Sequence, residues 1–70
     1  MLDMDYRMVD VLNADQLEIG DLIGLGEEVV TIIEIASLNN GFAITIENEF
    51  GEKDLVDIAD EDRFHLYILD

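Results

Sequence analysis

Hydrophobic positions in this chain recur mostly at every second residue, in short runs broken by Asn, Asp and Gly, which is the spacing of half-buried strands rather than of helices. Tyr6 to Leu12 (Tyr-Arg-Met-Val-Asp-Val-Leu) is the first strand expected, with residues 1 to 4 as a loose end. Asn13-Ala14-Asp15-Gln16 follows. It places a capping residue three positions before a Gln, so that each can satisfy the other's orphan amide, and one short helical turn is expected at residues 14 to 18. Leu17 to Gly26 returns to extended structure, with Gly20, Gly24 and Gly26 marking bends or positive φ. Glu27 to Leu38 reads as a long strand and Asn39-Asn40-Gly41 as a tight hairpin built from residues that tolerate the left-handed region. In the return strand, Phe42 to Glu47, period-two alternation points Phe42, Ile44 and Ile46 inward and Thr45 and Glu47 to water. A turn at Glu49 to Lys53, a strand from Asp54 to Ala59, a charged turn Asp60-Glu61-Asp62 and a last strand from Phe64 to Leu69 complete the chain.

Five or six short strands joined by tight turns predict a mostly β domain closed into a small barrel. The capped turn Ala14-Asp15-Gln16-Leu17, the run Glu18-Ile19-Gly20-Asp21-Leu22-Ile23 and the long hairpin after it resemble, over residues 9 to 69, the small SH3-like barrels. Residues 29 to 36 and 64 to 69 depart from clean alternation, being apolar on both faces. Two-faced apolar strands in so small a barrel leave one face uncovered. Either a homodimer with Ile33, Ile35, Tyr67 and Leu69 as contacts or cover by the N-terminal segment is expected.

Composition sharpens this picture. Seventy residues make one domain, 1–70, and half of them are hydrophobic, which sets the chain apart from disordered acidic segments. No Cys is present, so disulfides, thiolate metal sites and thiol nucleophiles are excluded. The segment Met1 to Arg7 lacks the basic and apolar regions of a secretory signal, and no apolar run approaches the ~20 residues of a bilayer span, so a cytoplasmic protein is expected.

The most unusual property of the chain is its charge. Eighteen Asp and Glu stand against Arg7, Lys53 and Arg63, for a net charge of −15. Such a field repels nucleic acid, anionic membranes and anionic substrates, and attracts basic proteins.

Candidate chemistry is sparse. Paired-acid catalysis needs two carboxyls held in a cleft, and nothing in the sequence singles out one pair, so no catalytic residue and no enzyme activity is expected. Asp57-Ile58-Ala59-Asp60-Glu61-Asp62 fails the EF-hand pattern, with Ala at its third position and no Gly at its sixth, so no metal site is expected. His65 is the only histidine and reads as a partly buried packing residue. Gly24-Leu25-Gly26 lacks the Lys of phosphate loops and precedes Glu27-Glu28, so no nucleotide cofactor is expected. Phe42, Phe50 and Phe64 have no basic groove beside them to bind single strands, and read as core residues.

What remains is the acidity itself. Glu47, Glu49, Glu52, Asp54, Asp57, Asp60, Glu61 and Asp62 form one expected cluster, on two neighbouring turns and the strand between them. Asp15, Glu18, Asp21, Glu27 and Glu28 form a second. Duplex DNA carries one charge per ~1.7 Å, so fifteen charges match about 26 Å of duplex. A compact chain of this length has a diameter of roughly 28 Å. In size, scarcity of Lys, lack of Cys and acidic β scaffold, the chain resembles the DNA-mimicking inhibitors with which bacteriophages take over a host. That resemblance implies a non-enzymatic inhibitor seated on the DNA-binding surface of a basic host protein: a nucleoid-associated protein such as HU first, otherwise RNA polymerase, a restriction enzyme or a repair enzyme. The alternatives are acidity adapted to high salt and an adaptor module binding a basic peptide.

Overall fold

The computed structural model describes residues 5–69, so the loose end expected at residues 1 to 4 lies outside the described residues. Six strands follow one another: β1 (Tyr6–Asn13), β2 (Leu22–Leu25), β3 (Glu28–Leu38), β4 (Gly41–Glu47), β5 (Lys53–Ala59) and β6 (Arg63–Leu69), with a 3-10 turn, Ala14–Gln16, after β1. They form one antiparallel sheet in the order β1-β6-β2-β3-β4-β5. No ladder joins β1 to β5 among the described residues, so both are edge strands and the hydrogen-bonded sheet is open.

A single apolar cluster nevertheless draws on every strand. Ile23, Val30, Ile32, Ile44, Ile46, Ile58 and Phe64 are buried together with Ala14 and Leu17, and Leu12, Leu25, Ile35, Phe42 and Val56 pack partly against them. The 3-10 turn packs against both β1 and β4, bringing Ala14 into the space between distant parts of the sheet. Its entry follows the expected capping spacing, with the Asn13 N–H donating to Gln16 Oε1 at 2.9 Å. Ala14 N–H donates to the Asp62 carbonyl, tying this turn to the start of β6.

Two bulges adjust which side chains face inward. β3 carries an extra residue between Ile32 and Glu34, so Ile32 opposite Ile46 and Ile35 opposite Ile44 both turn to the core although they are three apart. β1 carries another between Met8 and Asp10.

Of the bends expected at Gly20, Gly24 and Gly26, Gly24 lies within strand β2 and Gly26 opens a two-residue hairpin, Gly26-Glu27, closed by Leu25 opposite Glu28. Gly26 has φ 63° and Glu27 does not share a positive φ, which makes a type II′ turn, the hand that suits strand twist. The hairpin at Asn39-Asn40 forms as expected but by a different route. No described residue other than Gly20, Gly26 and Gly51 has positive φ. Gly41 is needed instead for space, because a Cβ there would collide with the Ile58 carbonyl oxygen of β5.

Candidate acidic interaction surface

The β4–β5 connection, Asn48 to Glu52, is organised by one side chain that sequence reasoning missed. Asn48 Oδ1 accepts from the N–H groups of Phe50 and Glu52, both at 2.9 Å, and Asn48 Nδ2 donates to Glu52 Oε1 at 2.8 Å. Gly51, at φ 81°, completes the bend. Short polar side chains that bond the backbone two residues on favour such turns, and Asn48 just after the alternating strand is the signal available in the sequence.

This turn and the β2–β3 hairpin lie at the same end of the sheet, because Thr31 pairs with Glu47 and Glu28 begins β3. A cleft of about 200 Å³ opens between them, lined by Tyr6, Glu27, Glu28, Val29, Asn48 and Glu49. Glu28 also lines the adjoining depression with Glu52, Lys53 and Asp54. The fold thus joins part of each expected cluster: Glu27 and Glu28 meet Glu49, Glu52 and Asp54 across some twenty residues of sequence, with Lys53 as the cation among them.

The rest of the larger cluster does not join them. The turns at 48–52 and 60–62 stand at opposite ends of β5, whose seven residues span about 20 Å. They are not the neighbouring turns expected from the sequence, because a strand carries its two ends apart. Asp60, Glu61 and Asp62 lie instead beside the 3-10 turn bearing Asp15, through the bond from Ala14 to Asp62 and the pairing of Asn13 with Arg63. Asp57 sits between the two poles on β5, while Glu18 and Asp21 border the turn that leads into β2.

Four of the thirteen expected partner-binding acids are engaged by the protein itself. Asp62 Oδ2 accepts from Ala59 N–H and Asp21 Oδ2 from Glu18 N–H, each at 2.9 Å, Asp54 Oδ1 accepts from Leu55 N–H at 3.0 Å, and Glu52 holds Asn48. Asp15, Glu18, Glu27, Glu28, Glu47, Glu49, Asp57, Asp60 and Glu61 make no side-chain hydrogen bond among the described residues, and all but half-buried Glu47 are exposed. Neither Lys53 nor Arg63 forms an ion pair among the described residues.

The distribution of charge is lopsided. β1 and β6 together hold one acid, Asp10, and two arginines, Arg7 and Arg63, whereas residues 14–62 hold fourteen acids and Lys53 alone. Sixteen described carboxylates against three cations leave thirteen net charges along a molecule 43 Å long, or one per about 3.3 Å. That is the spacing along one strand of duplex DNA, half the density of the two strands together. The closer match expected from the sequence assumed a sphere; the extents of 43 × 24 × 18 Å spread the same charge further.

Other expectations are corrected. His65 is exposed, not partly buried, because alternation along β6 turns Phe64 inward and His65 outward opposite Val11, with its ring 6.4 Å from that of Tyr67. Phe50 is no core residue: it is 75% exposed at the tip of the β4–β5 turn, while Phe64 is buried and Phe42 half-buried. Of the expected dimer contacts, Ile35 turns to the core, Ile33 is the half-buried bulge residue, Tyr67 is half-buried and Leu69 is exposed.

No group of three or more His, Cys, Asp or Glu among the described residues is arranged to hold a metal ion. No helix among them is long and apolar enough to cross a membrane. No protein-family model, curated protein or solved structure matches the chain.

Proposed function

We propose that this protein is a non-enzymatic DNA mimic, of the kind bacteriophages use in host takeover, that occupies the DNA-binding surface of a basic host protein in the cytoplasm or nucleoid. The observation that carries the reading is the confinement of the net charge to residues outside β1 and β6, on β3, β4, β5 and the turns around them, of which the turn at 48–52 is held by its own hydrogen bonds. A surface built to neutralise phosphates needs no base-specific contact to accept such a field. Rigidity matters because acids carried on an ordered sheet and its turns avoid the entropy cost of ordering a flexible acidic tail. Fields from the two poles are screened from each other beyond a Debye length of about 10 Å, so each pole acts as a local patch along an extended partner surface.

A symmetric nucleoid-associated protein such as HU is the first target, with RNA polymerase, restriction and repair enzymes after it. Purified HU bound to labelled duplex should release it when this protein is added, and the complex should weaken steeply as salt rises. Reversing Glu27, Glu28 and Glu49 to Lys should weaken binding about tenfold or more, and more than reversing any one of them. Failure to displace duplex from every one of these DNA-binding classes, or a complex indifferent to salt and competing duplex, overturns the reading.

One observation favours a second reading, an adaptor that binds a basic peptide: the cleft between the two turns combines Tyr6 and Val29 with Glu27, Glu28 and Glu49. A short Lys/Arg-rich peptide that binds this cleft as tightly as an intact basic partner would select it.

A further inference from the structure

Across β1, β6 and β2 the pairings Met8 with Tyr67 and Tyr67 with Leu22 align three side chains on one face of the sheet, and opposed residues of neighbouring strands share a face. Val11 opposite His65 and Leu69, two residues beyond Tyr67, lie on that same face. It is the outer face, since Phe64 with Leu12 and Leu66 with Ile23 occupy the other side, toward the core. Met8, Val11 and Leu69 are about half exposed, at 51%, 44% and 50%. The Tyr67 ring lies so close to Gly24 that a Cβ there would stand 3.0 Å from its Cε2. The strands that build this face contain one acid, Asp10, and its partner Leu66 belongs to the core side.

We infer that this acid-free apolar face of β1, β6 and β2 is where a second copy of the chain docks, face to face. This inference is independent of the proposed function. Two chains of net charge −15 repel one another wherever their acidic ends approach, and this face is where they meet with no carboxylate opposed to another. A basic partner, in contrast, is drawn to the acidic ends and away from it. Strand-to-strand joining is the other way two copies could meet, and the edges are guarded against it. On edge strand β1 the Asp10 carboxylate accepts the Val11 N–H at 2.8 Å, and on edge strand β5 Asp54 accepts the Leu55 N–H at 3.0 Å. Each carboxylate occupies a donor that an incoming strand would need.

Salt separates this association from binding of a basic partner, because screening should strengthen the first and weaken the second. Sedimentation of the full chain from micromolar to submillimolar concentration, at about 50 mM and about 500 mM NaCl, should give twice the chain mass, with the midpoint moving to lower concentration at high salt. Met8→Glu and Val11→Glu should each raise the dissociation constant at least about tenfold, a loss of about 1.4 kcal/mol. Leu55→Glu, at a still more exposed apolar position of β5, should leave it unchanged. Should a face variant lose its strand circular dichroism, concentration-dependent shifts of the Met8, Val11 and Leu22 methyl resonances in the unaltered chain provide the readout. A monomer at every concentration in high salt overturns the inference, and so does a dimer that survives both face variants or is broken by Leu55→Glu. A monomer would leave the face to cover from within the chain, and would leave the DNA-mimic reading standing.

Discussion

Gly41 shows how one residue can be fixed by its neighbours' backbone. It is buried at the start of β4, and the missing side chain is what lets β5 come close enough for Gly41 to pair with Ala59. Gly41→Ala would drive a methyl group into the Ile58 carbonyl, so the two strands must part. A loss of about 3 kcal/mol is expected in urea denaturation, at the upper end for overpacking because the obstacle is backbone. Asn48 acts through bonds rather than space. Asn48→Ala removes the acceptor of two N–H groups and the donor to Glu52, and should cost about 1–2 kcal/mol by the same measurement. Asn48→Asp keeps the acceptor but sets a charge against Glu52, so its loss should shrink as salt is added.

At the scale of elements, alternation made nearly all the strands legible. The hairpin at Asn39-Asn40, the capped turn after Asn13 and the inward set Ile44 and Ile46 follow from local pattern, because each is decided by residues within a few positions of one another. What escaped were features set by distant neighbours. The bulge at Ile33 reverses which β3 residues face inward, and nothing in Val-Val-Thr-Ile-Ile-Glu-Ile-Ala marks it, so Ile35 read as a surface contact when it belongs to the core. The acids likewise formed clusters by sequence proximity, whereas the sheet pulls the segment 47 to 62 apart and gathers Glu28 with Glu49 and Glu52. Phe50 read as core because no basic groove stood beside it to make it a base-stacking residue, yet the turn built by Asn48 holds it outward.

For the molecule as a whole, the charge imbalance is a cost to folding that the Ile-rich core must overcome. Mutual repulsion among the carboxylates falls as ionic strength rises, so the thermal midpoint should climb by about 5 °C or more between low salt and about 500 mM NaCl. A chain unfolded at low salt and folded only near molar concentrations would favour adaptation to a saline environment over recognition. Binding and stability therefore respond to salt in opposite directions, and the same titration reads both.

The pairing of β1 with β6 sets Tyr6 beside Leu69, so one of the sheet's two outermost ladders links residues sixty-three positions apart. Closing so large a loop carries an entropic penalty that hairpins such as β3–β4 avoid, and non-local ladders of this kind slow the approach to the native state. The central meander can therefore assemble first, leaving β1 to zip on last and to peel away first. The apolar face built on β1 accordingly exists only once folding is complete, so any copy that docks there also acts as a latch on the part of the sheet most prone to open.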